Sequence, residues 1–108
     1  MLPNLPSATD DNFQALVIES EQPVLVDFWA PWCGHCRRLA PTIDQFASEH
    51  PDVKVVTLNT DEQQRVAAEL GILSLPTLIR FENGAEAARV VGAYPKAMLE
   101  RQLGLVAA

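Results

Sequence analysis

Val24-Leu25-Val26-Asp27-Phe28-Trp29 is an unbroken apolar and β-branched run with a single carboxylate inside it. Pro23 opens the run and Ala30-Pro31-Trp32 turns the chain away from it. It has no polar alternation that would leave one side to water, so it reads as a central strand buried on both faces. Whatever else the chain builds must cover this strand from both sides.

The remaining segments can supply that cover. Met1 to Ser7 carries Pro3 and Pro6 and can be at most a short edge strand. Thr9 or Asp10 can cap a helix with Phe13, Leu16 and Val17 on its apolar face. A helix is expected from about Cys33 to Glu49, with Leu39, Ile43, Phe46 and Ala47 at helical spacing and Pro41 as a kink. Val53 to Leu58 reads as a strand. Asp61 and Gln64 resemble a capping box opening a helix that stops at Gly71. Leu78 to Phe81 and Ala87 to Val91 flank Asn83-Gly84, a strong hairpin signal. Pro95 leads into a last helix with Met98, Leu99 and Leu103. Strand, helix, strand, helix, hairpin and helix give an α/β sandwich around a mixed sheet.

At 108 residues the chain is expected to be one domain, residues 1–108, with no repeat or linker. Eight basic and fourteen acidic residues leave a net charge of −6. A field of that sign repels phosphate backbones and anionic lipid, so neither nucleic acid nor a membrane surface is an expected partner. No stretch approaches the ~18–20 apolar residues of a membrane span. Met1 to Asp11 has neither a basic residue nor an apolar run, so it does not read as a secretory signal. These features give an expected cytoplasmic location and, by default, a monomer.

The two cysteines, Cys33 and Cys36, enclose only Gly34 and His35. So short a loop gives a disulfide little unfolded-state entropy to remove, and a pair at this spacing is usually chemistry or metal. At a helix start, unpaired N–H groups and the helix dipole face the Cys33 sulfur and favour its thiolate. Cys36 lies one turn on along the same face. Cys33 is therefore the expected nucleophile and Cys36 the resolving thiol. Gly34 removes bulk beside the sulfur. His35 places a cation within reach of the thiolate, which would make the pair more oxidising. The metal reading needs four ligands, and His50 lies ~20 Å along the same helix at 1.5 Å per residue, so a zinc or iron–sulfur site would need two chains.

Val26-Asp27-Phe28-Trp29-Ala30-Pro31-Trp32-Cys33-Gly34-His35-Cys36 resembles the active-site segment of the thioredoxin family. Ala40-Pro41, Leu75-Pro76-Thr77, Phe81-Glu82-Asn83-Gly84 and Val91-Gly92-Ala93 fall where that family has its other marks, so the resemblance runs from about Thr9 to Leu103. It implies a thioredoxin fold, with a mixed sheet of four to five strands flanked by about four helices. The implied activity is reversible dithiol–disulfide chemistry on protein disulfides, part of electron transport and cell redox homeostasis. No bound cofactor is implied; electrons come from NADPH through a thioredoxin reductase. Carried over by position, Asp27 takes a proton from Cys36, and a carboxylate in a doubly buried strand should indeed have a raised pKa. Leu75-Pro76 is implied to be a cis bond facing the disulfide. Trp32, Pro76, Gly92 and Ala93 are implied to form a flat apolar docking surface, with backbone atoms of Leu75 pairing with the substrate.

Two positions depart from the family. His35 stands where most thioredoxins have Pro, and Cys-Gly-His-Cys is typical of protein disulfide isomerases. Reference potentials of about −270 and about −180 mV differ by ~90 mV, or about 4 kcal/mol, enough to reverse electron flow. A disulfide oxidant or isomerase is therefore the alternative within the same chemistry, and a non-catalytic binding module the alternative outside it. Thr57 stands where many thioredoxins carry a Lys, which should raise the Asp27 pKa further.

Overall fold

In a computed structural model, residues 2–105 are described. Met1 and the last three positions of the expected 1–108 domain lie outside them. The central run is a strand as read, β1 (Val24–Trp29). It pairs in parallel with β2 (Lys54–Asn59) on one side and antiparallel with β3 (Thr77–Glu82) on the other. β3 continues antiparallel to β4 (Ala85–Val91), so the sheet order is β2-β1-β3-β4. The mixed sheet thus has four strands. The N-terminal segment adds one parallel bridge, Ser7 to Thr57, at the β2 edge where a fifth strand would lie.

Period-two alternation splits the strands between two cores. Val24, Val26 and Phe28 of β1, Val56 and Leu58 of β2, and Ile79 and Phe81 of β3 face one side. There they meet Phe13 and Val17, from the cap and body of a π-type helical turn (Gln14–Ile18), and Val66 from α2 (Gln64–Glu69). Leu25, Val55, Leu78 and Val90 face the other side and pack on α1 (Gly34–Glu49) and α3 (Lys96–Leu103), through Leu39, Ile43, Phe46, Leu99 and Leu103. Fully burying such side chains stabilises by about 1.5–3 kcal/mol each, which makes these two layers the main source of stability. Among the described residues, three α-helices and one π-type turn stand where about four helices were expected. None among the described residues is long and apolar enough to cross a membrane.

Several local readings hold and others change. Thr9 and Asn12 cap the first turn reciprocally, Asn12 N donating to Thr9 Oγ1 at 3.0 Å and Thr9 N to Asn12 Oδ1 at 2.6 Å. Cys33 is the N-cap of α1 rather than its first helical residue. Pro41 falls on the solvent side of α1. The Asp61–Gln64 capping box does not form. α2 starts at Gln64, and Asp10 caps it from across the chain, its carboxylate accepting from Val66 N at 2.9 Å and Arg65 N at 3.2 Å. A carboxylate placed over a helix start by tertiary packing outcompetes the local candidate. Pro95 is the N-cap of α3. Asn83 and Gly84 take φ of 52° and 80°, as the tight hairpin requires. A Cβ on Gly84 would also come within 2.9 Å of the Ile18 carbonyl oxygen, so glycine is needed there twice over.

Candidate active site around Cys33 and Cys36

The site lies where β1 ends and α1 begins. Cys33 and Cys36 are joined by a disulfide, and Cys36 N donates to Cys33 Sγ at 3.1 Å. The sulfur therefore occupies the place of a capping side chain, facing the helix's unpaired N–H groups. Both cysteines are buried, with Cys33 retaining 4 % exposure against 1 % for Cys36. The pair is less open than an exposed nucleophile would be, because Ala30, Trp29 and Leu75 close around it. Of the two sulfurs, the one on Cys33 keeps the greater access.

Asp27 is the outlier of the core. It is 2 % exposed, and its Oδ1 has no hydrogen-bond partner. Burial alone pushes its pKa from 3.8 up to about 7. By alternation it shares a face with Leu25, which packs on α1, and with Trp29, which packs on the disulfide. It therefore sits beneath the first turns of α1, the helix that carries Cys36. Its parallel neighbour across the ladder is Thr57, itself buried, and among the described residues no cation offsets the carboxylate.

The other expected residues gather on the rim. Trp32 is 68 % exposed, and its indole Nε1 donates to Asp61 Oδ1 at 3.1 Å, which fixes the ring beside Cys33. The Leu75–Pro76 bond is cis, as the resemblance implied, and Leu75 packs on the cysteines. Pro76 itself is buried, so its ring adds less surface than expected: it leads directly into β3, one of the two strands against β1. The carbonyl of Pro76 accepts from Gly92 N at 2.9 Å, which ties the Gly92-Ala93 turn to the same end. Gly92 has φ of 122°, and a Cβ there would press on the Tyr94 ring at 2.9 Å. Ala93 is exposed.

Gly34 is half-buried, and His35 points to solvent. His35 does not stand alone: Arg38 Nη2 lies 2.5 Å from its Nδ1. A guanidinium only donates, so this Nδ1 accepts. Arg38 was not singled out from the sequence, although its i, i+3 spacing from His35 was visible there. Asp61 was assigned to a helix cap and instead anchors Trp32. Exposed Tyr94 lies by His35 and Arg38, and no motif marked it. His50, the other imidazole, bonds Glu100 at 3.1 Å and takes no part.

Comparison with known proteins agrees with this arrangement. The family model for thioredoxin matches residues 4–104. The chain is 51 % identical over 94 residues to a chloroplastic M-type thioredoxin of Chlamydomonas reinhardtii, covering 86 % of this chain and 67 % of that protein. It is 52 % identical over 98 residues to thioredoxin 1 of Synechococcus elongatus, covering 90 % and 92 %. It is 48 % identical over 101 residues to a thioredoxin of the alga Porphyra purpurea, covering 93 % and 94 %.

Proposed function

This chain belongs to the thioredoxin family, and from that premise we propose a reduction cycle carried by Cys33, Cys36 and Asp27. The chain is a protein-disulfide reductase, a thiol–disulfide oxidoreductase, and that reading stands over the oxidant or isomerase suggested by His35. In the cycle, the Cys33 thiolate attacks one sulfur of a protein disulfide. The substrate S–S bond breaks, its leaving thiolate takes up a proton, and a mixed disulfide forms. Asp27, ionised, accepts the proton of Cys36. The Cys36 thiolate then attacks Cys33 Sγ, breaking the mixed disulfide and closing the internal one, and the departing substrate thiolate takes up the proton held on Asp27. Two electrons and two protons have passed to the substrate.

The observation that carries this reading is the buried, unpartnered Asp27 beneath a helix whose cap is Cys33 Sγ. A carboxylate with a pKa of about 7 can both take and return a proton near neutral pH. Trp32, Leu75, Gly92 and Ala93 form the docking surface, with buried Pro76 supporting it from beneath and the backbone of Leu75 pairing with the substrate chain. Gly34 leaves room beside the sulfur, and His35 tunes the thiolate. No bound cofactor is needed. Electrons from NADPH, delivered by a thioredoxin reductase, return the oxidised pair to the dithiol. The chain acts as a monomer in a reducing compartment, the cytoplasm, and neither nucleic acid nor membrane is a partner; some relatives are chloroplastic by name, so fractionation is the check on location.

Trapping tests the cycle. Cys36→Ser, reduced and mixed with a disulfide-bridged protein, should accumulate a covalent mixed disulfide through Cys33. Cys33→Ser should form none. Equal trapping by both variants, or trapping through Cys36 alone, would overturn the assignment.

A further inference from the structure

The chain carries a net charge of −6, yet one flank of the disulfide is cationic. A cleft of about 320 Å³ opens there, between α1 and the segment leading into α3, lined by His35, Arg38, Leu39, Thr42, Tyr94 and Lys96 among others. Three arginines elsewhere spend their charge on carboxylates: Arg65 on Glu69, Arg80 on Glu82 and Arg89 on Glu86. Among the described residues, Arg37, Arg38 and Arg101 have no carboxylate partner, and Arg101 lies away from the cleft in α3. Arg37 Nη1 donates to the Pro31 carbonyl at 2.8 Å, and Arg38 Nη2 donates to His35. Both guanidiniums lie over Gly34, with Arg38 Nη1 3.5 Å and Arg37 Nη2 3.8 Å from where a Cβ would stand. Lys96 borders the cleft, but its Nζ is held by Glu49 at 2.6 Å.

The opposite flank has the other sign. Asp61 holds the Trp32 indole, and exposed Glu62 follows it. These acids follow β2 at one edge of the sheet, whereas the cleft is closed by residues that follow β4 at the other. Charge is therefore polarised across the disulfide, and the positive side is concave, with Arg38 there bound to no carboxylate among the described residues.

From this we propose that the Arg38 cleft receives a carboxylate side chain of the protein being reduced, carried close to the cysteine that Cys33 attacks. The proposal rests on the preceding reading that Cys33 attacks a protein disulfide. A planar guanidinium already oriented by one hydrogen bond matches a carboxylate with its remaining N–H groups. A segment bearing the carboxylate on this side meets attraction, and the reversed segment meets Asp61. The polarity would therefore select the orientation in which a disulfide is presented as well as which disulfide.

The test uses disulfide-bridged peptides that differ only in Glu or Gln beside the attacked cysteine, in two sets with the variable position before or after it. Reduction by the full-length protein is followed as kcat/KM at low salt and at high salt. In one set the Glu peptide should be favoured about two- to five-fold at low salt, the range of a partly exposed ion pair. The preference should fall towards one at high salt and in Arg38→Gln. It should persist in Arg101→Gln, which removes the same charge from an exposed position in α3. Equal rates for Glu and Gln in both sets, or a preference that survives Arg38→Gln, would overturn the cleft. Failure to reduce any of the peptides would overturn the cycle itself, and the salt dependence of the wild-type protein decides the matter even if a variant folds poorly.

Discussion

Val24, Val26 and Phe28 point to one side of β1, and Leu25, Asp27 and Trp29 to the other. On the first side the layer packed over β1 is apolar, from Phe13 and Val17 of the first turn to Val66 of α2. On the second, Leu25 meets a similar apolar layer from α1 and α3, but Asp27 and Trp29 meet the approach to the disulfide. One strand thus carries a face that stabilises and a face that gives up stability to bury an ionisable carboxylate. The buried charge of β1 is Asp27, and the physical cost falls on that residue: a carboxylate with an oxygen that bonds to nothing.

Breaking the apolar side gives the largest expected effect. Phe28 is fully buried, and Phe28→Ala should destabilise the fold by about 3–5 kcal/mol, seen as a drop in the urea midpoint. The expected sign reverses for the other side. Between pH 3.8 and about 7 the native state holds a proton on Asp27 that the unfolded chain has already lost. Stability therefore falls as pH rises through that window and stays low above it, by about 4 kcal/mol for a shift of this size. Asp27→Leu should flatten this dependence in urea melts at acid and alkaline pH. It should also slow release of the mixed disulfide, by on the order of 10²-fold for a lost proton acceptor. A variant whose stability still falls through the same window would show that Asp27 is not its source.

The legible parts of this protein were those encoded by short-range pattern. The doubly buried run at Val24 to Trp29, the Asn83-Gly84 hairpin and the helix opened at Cys33 all follow from residues adjacent in sequence. The burial of Asp27 was legible for the same reason, since apolar residues flank it on both sides. The illegible parts depend on which distant segment arrives first at a polar group. Asp61 has the spacing of a cap for α2, but Asp10 occupies that place and Asp61 turns to Trp32. His35 looked like a free cation from sequence, and only the folded helix puts the Arg38 guanidinium on its Nδ1. Pro76 looked like surface because the motif that contains it lies by the disulfide, yet the strand it opens draws it into the interior.

A cation introduced beside Asp27 would sharpen the contrast between the faces. Thr57 lies opposite Asp27 in the parallel ladder and is buried with it. Thr57→Lys should bring the Asp27 pKa down from about 7 by about 1–3 units, the usual effect of an opposite charge at close range. NMR titration of the carboxyl carbon reads this directly. A pKa that stays near 7 would mean that position 57 does not reach the carboxylate.

The smallest expected effect comes from the other aspartate that works away from its own segment. Asp10 accepts from two N–H groups at the start of α2, whereas Asp27 Oδ1 accepts from none. Two carboxylates in one domain therefore have opposite thermodynamic signs, because one replaces its lost water with helix donors and the other does not. Asp10→Ala should cost about 1 kcal/mol, the usual loss of a helix cap, and thermal melts would register it. α2 covers the apolar side of the sheet through Val66 and does not pack on the disulfide cluster. The rate of disulfide reduction should accordingly be unchanged in this variant once it is compared at a temperature where both proteins are folded. A rate that fell along with stability would mean that the two faces of β1 are coupled, and that the apolar side also holds the redox site in place.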